Sequence, residues 1–437
     1  MSKPLVAVVG RSNVGKSTFF NKICGKRISI VKDTPGVTRD RIYADAEWCG
    51  RHFTLVDTGG IESDNADFFA EIRRQAEIAI DLADVIVFMV DGKSGLLSSD
   101  RDVAALLRSA KKPVILTVNK LDNNETDTLY DFYELGLGDP FPISCEQSFG
   151  LGDLLDEIVR NIPEAGDETD NGLSIAFVGK PNVGKSSLVN KLLGFDRVIV
   201  SDIAGTTRDA IDTPFTYNGI KYNLIDTAGM RRKRGIEDES VERYSVLRAM
   251  AAISRADVVM IVLDASEEIS EQDVRIAGMV HDEGKPSVIV MNKWDKIEKD
   301  THTVDRYKDR LSEQLSFMSY FKAEYVSAKS GQRVERLIDT AEAVYGRASA
   351  RITTGVLNDV IGEAVRMTEP PAHSGRRLKI LYGTQASTNP PTFVIFVNDE
   401  QLVHFSYKRY LENSLRRAFD FEGTPIRLKF VGRKEEK

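Results

Sequence analysis

Two stretches of eight residues in this chain have the makings of a phosphate cradle. Gly10-Arg11-Ser12-Asn13-Val14-Gly15-Lys16-Ser17 returns in the second half as Gly179-Lys180-Pro181-Asn182-Val183-Gly184-Lys185-Ser186. Glycines at these positions let successive backbone N–H groups wrap an anionic phosphate chain at the start of a helix. Lys16 and Lys185 would reach the terminal phosphates, and the hydroxyls of Ser17 and Ser186 would serve Mg2+. Each stretch follows an apolar, strand-like run and precedes a helix-like one (Thr18–Ile23, Ser187–Leu193), which is the context the pattern requires. The expected chemistry is phosphate binding, twice over.

Two further motifs keep the same register. Thr38-Arg39-Asp40 is matched by Thr207-Arg208-Asp209, and Asp57-Thr58-Gly59-Gly60 by Asp226-Thr227-Ala228-Gly229, both at the offset that relates Gly10 to Gly179. A threonine in the Pro- or Gly-containing segment before the second strand can close on Mg2+ and a γ-phosphate. An aspartate ending that strand can hold the ion directly or through water, and the glycine N–H after it can sense the γ-phosphate. The candidate catalytic groups are therefore Lys16, Thr38 and Gly60 with Lys185, Thr207 and Gly229. The candidate Mg2+ ligands are Ser17, Thr38 and Asp57 with Ser186, Thr207 and Asp226.

Base choice is written in Asn119-Lys120-Leu121-Asp122 and Asn292-Lys293-Trp294-Asp295, each directly after a strand-like run. A carboxylate at Asp122 or Asp295 accepts two hydrogen bonds from guanine N1–H and N2–H2, which adenine cannot offer. Lys120 and Lys293 can cover the base with their alkyl stems. Ser144-Cys145-Glu146 and Ser327-Ala328-Lys329 stand where another loop would meet the base through backbone N–H groups, the first being the looser match. Both sites should select GTP over ATP.

The elements that must carry these residues repeat as well. Copy one offers strands at Leu5–Val9, Phe53–Val56, Val85–Val90, Val114–Val118 and Pro140–Ile143. Copy two offers Ser174–Val178, Tyr222–Ile225, Val258–Leu263, Ser287–Met291 and Glu324–Val326, with a hairpin predicted at Asn218-Gly219. Short apolar runs separated by room for crossover helices imply mostly parallel, doubly wound α/β sheets. The register slips before Asp91 and Asp264, where copy two is longer, and the insertion accompanies a basic run, Arg231–Arg234, that copy one lacks. This run should bind RNA or another domain in a nucleotide-dependent way. The expected limits are residues 1–163 and 173–350 for the two copies, an acidic linker at 164–172, and a small third domain, α-β-β-α-β, at 351–437.

Composition sets the outer bounds. With 437 residues, 42% hydrophobic and 29% charged, the chain is expected to be soluble and multidomain. Its longest purely apolar run, Val85–Val90, is far short of the roughly 20 residues of a membrane span. Three cysteines at no ligand spacing suit a cytoplasmic protein, and with a strand-like run directly after the initiator methionine no signal peptide is expected. From Ala350 onward the chain carries +4, and the remainder −11. That asymmetry suggests a polyanion met by one end.

Taken together, the five motifs resemble those of translation-factor-related GTPases. Two such domains ahead of a small α/β domain resemble the Der (EngA) family over essentially the whole chain. The resemblance implies two tandem P-loop GTPase domains plus a C-terminal α+β KH-like domain. It also implies Mg2+-dependent GTP hydrolysis to GDP, and action with the ribosome and rRNA in maturation of the large subunit; a monomer is expected. Many small GTPases place a water-orienting glutamine after the Asp-x-x-Gly motif, where this chain has Ile61 and Met230. Slow intrinsic turnover follows. Asn13 and Asn182 match an asparagine that similar GTPases use for K+, which could supply transition-state charge; the alternative is an asparagine that only stabilises the loop turn. The third domain has no G-x-x-G clamp; its charge permits rRNA contact through Arg376, Arg377, Lys379, Arg416 and Arg417, and a domain that packs against a GTPase domain and reports its nucleotide state is an equal alternative. A GTPase subunit of an RNA-modification system is the alternative. A membrane-remodelling GTPase is disfavoured, since no lipidation signal or basic amphipathic helix is evident.

Overall fold

The computed structural model describes residues 4–23, 43–58, 73, 76–77, 79–110, 112–121, 126–163, 172–195, 197–200, 212–225, 240–373 and 376–432. The first sheet contains β1 (Leu5–Val9), β2 (Tyr43–Trp48), β3 (Arg51–Asp57), β4 (Val85–Asp91), β5 (Val114–Asn119) and β6 (Phe141–Pro142). Their order is β2-β3-β1-β4-β5-β6, parallel except for the β2–β3 pair. Along β1 and β4 the side chains alternate between two cores. Leu5, Ala7, Val9, Ile86, Phe88 and Val90 face one, while Val6, Val8, Val85, Val87 and Met89 face the other. A strand buried on both faces has no polar side to show, which is why these runs are continuously apolar.

The second sheet repeats this plan with β7 (Leu173–Val178), β8 (Val198–Val200), β9 (Thr213–Tyr217), β10 (Ile220–Ile225), β11 (Val258–Asp264), β12 (Ser287–Asn292) and β13 (Lys322–Tyr325). Its order is β13-β12-β11-β7-β10-β9-β8. The predicted hairpin joins β9 to β10, with Asn218 at φ 50° and Gly219 at φ 82°. Copy one makes the same turn at Cys49 (φ 49°) and Gly50 (φ 76°), in a hairpin that the strand reading above did not include. Two left-handed residues match the twist of the flanking strands, and cysteine is a rare choice for one of them.

The third domain has its own core, built from the helices Thr354–Met367 and Phe405–Ala418 against one face of a three-stranded sheet. After a short ribbon of β14 (Ala372–His373) and β15 (Arg376–Arg377), that sheet runs β16 (Ile380–Ser387), β17 (Thr392–Val397) and β18 (Arg427–Gly432). It is bonded firmly to the second GTPase-like domain. Gly423 N–H donates to Tyr320 O (2.6 Å), and Ser287 N–H donates to Gly423 O (2.8 Å). Arg427 reaches Asp282 O (2.9 Å), and Arg347 pairs with Asp420 (2.7 Å). Gly423 sits at φ +75°, where an added Cβ would stand 2.7 Å from Val344.

The chain divides into two compact units: residues 1–169 with 235–254, and residues 170–234 with 255–437. The helix Ser240–Arg255, which follows the second repeat's acidic motif in sequence, thus contributes to the first unit up to Ser254. There Ala251 joins the core containing Leu5 and Ala7, and Arg248 pairs with Asp81 (3.4 Å). The linker at 164–171 and the basic run Arg231–Arg234 lie outside the described residues. Among the described residues no helix is long and apolar enough to cross a membrane.

Candidate functional site

Both phosphate loops turn from a buried strand into a helix with the same backbone. Gly10 and Gly179 lie at φ 158° and 151°, with Gly15 and Gly184 at 104° and 97°. A Cβ on Gly10 would collide with Met89 O, and one on Gly179 with Val262 O. Asn13 (φ 67°) and Asn182 (φ 65°) take the left-handed region, which asparagine tolerates better than other side chains. Lys16 Nζ donates to Gly10 O (2.6 Å) and Arg11 O (2.9 Å). Lys185 Nζ donates in the same way to Gly179 O (2.6 Å) and Lys180 O (2.7 Å). The ammonium groups are therefore held over the cradle of N–H donors. The side chains of Val14 and Val183 are buried, so those residues can offer a phosphate only their backbone.

The base loops are tied to these cradles. Asn119 Nδ2 donates to Val14 O (2.7 Å), and its Oδ1 accepts from Cys145 N–H (2.9 Å). In copy two Asn292 Nδ2 donates to Val183 O (2.8 Å) and Oδ1 accepts from Ala328 N–H (3.1 Å). One amide thus spans phosphate loop and base loop. Cys145 occupies the place of Ala328, so the looser motif makes the same backbone contact. Burial pushes its thiol up to about 12, consistent with a packing role. The Ser327 hydroxyl donates to Asp295 Oδ1 (2.6 Å) and holds that exposed carboxyl below the usual range. Asp295 is thereby oriented as an acceptor. Its counterpart Asp122 lies outside the described residues. Ser144 is fully buried, and its Oγ accepts from Gln147 N–H (3.2 Å).

Ser17 Oγ donates to Asp57 Oδ2 at 2.9 Å, bringing together two hard oxygen groups suited to Mg2+. Thr58, buried beside them, donates to Val8 O (2.6 Å) and so braces the strand end. Thr38, Gly59, Gly60, Ile61, Thr207, Asp226, Thr227, Ala228, Gly229 and Met230 lie outside the described residues.

Comparison with known proteins fits this geometry. Residues 5–120 and 174–293 match a family described as "50S ribosome-binding GTPase". Residues 351–430 match one described as "KH-domain-like of EngA bacterial GTPase enzymes, C-terminal". The GTPase Der of Clostridium tetani is 57% identical, the alignment covering 100% of both chains. That of Alkaliphilus oremlandii is 56% identical over 98% of each chain. The chain belongs to the Der (EngA) family. A solved structure of Era from Aquifex aeolicus, 22% identical and covering 59% of this chain and 92% of that one, aligns with a TM-score of 0.30, too low to argue from.

As a Der-family GTPase, the chain binds GTP and hydrolyses it through its P-loop domains. The structure adds groups that the motif reading passed over. Asp91 and Asp264, noticed in the sequence only as strand ends, hold Lys120 and Lys293, the lysines expected to cover the base. Lys120 Nζ lies 2.7 Å from Asp91 Oδ2, and Lys293 pairs with Asp264. Burial pushes both carboxyls up, but their lysine partners and local N–H or hydroxyl donors outweigh it, leaving both below the ordinary range. Lys120 (φ 69°) and Lys293 (φ 60°) are left-handed, which turns each side chain back toward its aspartate. Leu121 and Trp294 are buried behind the base loops. Trp294 packs 5.0 Å from the Tyr307 ring and 4.6 Å from that of Tyr325.

The expected RNA contacts divide. Arg376, Arg377 and Lys379 are exposed, with Arg377 paired to Glu369 (2.8 Å). Arg416 is turned inward instead. Its guanidinium lies 4.6 Å over the Tyr320 ring, pairs with Glu412 (3.1 Å) and donates to Thr424 O (2.9 Å). It anchors the third domain to the second GTPase domain and is not available to RNA. Arg417 is exposed and donates to Asn413 O (3.3 Å).

Proposed function

We propose that this GTPase is an assembly factor for the large ribosomal subunit, in which the nucleotide state sets the domain arrangement and with it the affinity for rRNA. The family description matched by both GTPase domains carries the reading. The +4 charge of the chain from Ala350 onward, with Arg376, Arg377 and Lys379 exposed, supports it. In this reading the domains span 1–163, 173–350 and 351–437, and the protein is a cytoplasmic monomer. A ligand shifts such an arrangement only by its differential affinity for the two forms, typically about 1–3 kcal/mol per coupled site. Subunit binding that prefers one form must tighten the nucleotide that favours it. Co-sedimentation with isolated ribosomal subunits tests this. Binding to the large subunit should be strongest with a non-hydrolysable GTP analogue, and nucleotide-independent binding or none would overturn the reading.

Mg2+ would be held by Ser17, Thr38 and Asp57, and by Ser186, Thr207 and Asp226, supplying charge to the phosphates when nucleotide is bound. Ile61 and Met230 cannot orient water, so we assign a slow intrinsic rate and a K+ site at Asn13 and Asn182, both exposed beside the cradles. GTPase rates in KCl should exceed those in NaCl at equal ionic strength by on the order of a hundredfold, the scale of one transition-state charge contact. Equal rates would remove the cation and favour a protein activator.

A further inference from the structure

Among the described residues, two buried carboxylates remain without a part in this chemistry. Asp100 and Asp273 are each 2% exposed, and each caps the helix that follows β4 or β11. Asp100 Oδ2 accepts from Leu97 N–H (3.1 Å) in the helix Ser98–Arg108. Asp273 Oδ2 accepts from Ser270 N–H (3.0 Å) and Ser270 Oγ (2.7 Å) in the helix Glu271–Glu283. Capping needs neither full burial nor a cation, yet each has one. Arg11 Nε lies 3.6 Å from Asp100 Oδ1, and Lys180 Nζ lies 3.3 Å from Asp273 Oδ2. These cations belong to the second residue of each phosphate loop.

We propose that Asp100 and Asp273 are positioning residues that brace the phosphate loops through Arg11 and Lys180. The same residue whose side chain is pinned offers its carbonyl to the loop lysine, Arg11 O to Lys16 at 2.9 Å and Lys180 O to Lys185 at 2.7 Å. A connected path therefore runs from the helix cap, through the loop's backbone, to the ammonium that meets the phosphates. The duplication supplies a second observation. Arg11 also bonds Ser94, whereas Lys180 pairs with Glu267 at 2.9 Å. Ser94 stands to Asp91 as Glu267 stands to Asp264, so the two occupy equivalent places. The cation and its rim partner both differ between the copies, while the carboxylate and the contact are kept.

The sign of one substitution separates a brace from simple electrostatics. Asp273→Asn keeps an acceptor for the helix cap but removes a negative charge near the phosphates. Coulomb attraction alone then predicts tighter anion binding. A brace predicts weaker binding, because Lys180 and the loop backbone are released. The experiment uses the full chain with Asp122→Asn, so that guanine nucleotide reports the second site, and titrates fluorescent GDP and a GTP analogue alongside thermal melting. Asp273→Asn and Lys180→Met should each weaken both nucleotides about tenfold, the scale of one charge-assisted hydrogen bond. The double variant should lose no more than either single one, and Lys180→Arg, the cation of copy one, should keep near-parental affinity. Unchanged or tighter binding in Asp273→Asn, or additive losses in the double variant, would overturn the proposal. Should Asp273→Asn fail to fold, Lys180→Met against Lys180→Arg at equal melting temperature decides it.

Discussion

Replacing Asp295 by asparagine is expected to weaken guanine nucleotide binding at the second site on the order of ten-thousandfold, as for sites built around substrate N–H donors. In our reading the carboxylate would accept two guanine donors, and its Ser327 partner at 2.6 Å holds it in the accepting orientation. Asparagine presents one acceptor and one donor, so the purine N2–H2 meets an N–H group and repels it. Xanthine replaces that amino group by a carbonyl and reverses the preference. Xanthosine nucleotides should therefore bind the variant's second site, while the first site continues to take GTP through Asp122. Equilibrium titration with fluorescent GDP and XDP checks the switch. Retained GDP affinity at two sites per chain, or ATP binding as tight as GTP in the parent, would refute the assignment of this carboxylate.

Alanine at Gly184 should weaken nucleotide binding at the second site more than about a hundredfold while leaving most of the fold intact. Gly184 sits at φ +97°, a conformation that L side chains adopt only with strain, costing about 1–3 kcal/mol. The new methyl would also fall well inside contact distance of Asn292 Nδ2. To escape it, the Asn292 amide must leave Val183 O and Ala328 N–H, the two bonds that join the phosphate loop to the base loop. Losing both, on top of the strain, brings the expected cost to more than about 3 kcal/mol, or over a hundredfold in affinity. Gly15→Ala should act alike on the first site, where the same clash falls on Asn119 Nδ2. Titration of each variant in the Asp122→Asn or Asp295→Asn background separates the sites, and near-parental affinity in either would show that the loop can repack around the methyl.

What could be read from the chain and what could not divide along a physical line. Backbone requirements are local and leave their mark in residue type. The glycines of the phosphate loops, the continuously apolar runs Val85–Val90 and Val258–Leu263, and the Asn218-Gly219 turn were legible because each states a φ value or a doubly buried strand, while the asparagines, read for K+, take a left-handed turn conformation. Even this language has gaps. The equivalent turn in copy one is written Cys49-Gly50, and with cysteine in the left-handed position its hairpin passes unnoticed.

Side-chain partnerships are decided elsewhere. Asn119 meets Val14 and Asn292 meets Val183 from far along the chain, because parallel strands joined by crossover helices bring their carboxyl ends to one edge of the sheet. Nothing in the spacing of Arg416 distinguishes a surface cation for RNA from one stacked on Tyr320, and only the packing of the third domain against the second separates them. The grouping of residues 240–254 with the first repeat also lies beyond any motif. Two tandem P-loop GTPase domains and the order of their elements were legible in the residues alone, since those depend on local geometry. Which charges are neutralised inside the protein was settled by packing, because a charge is buried or exposed by what the rest of the chain lays against it.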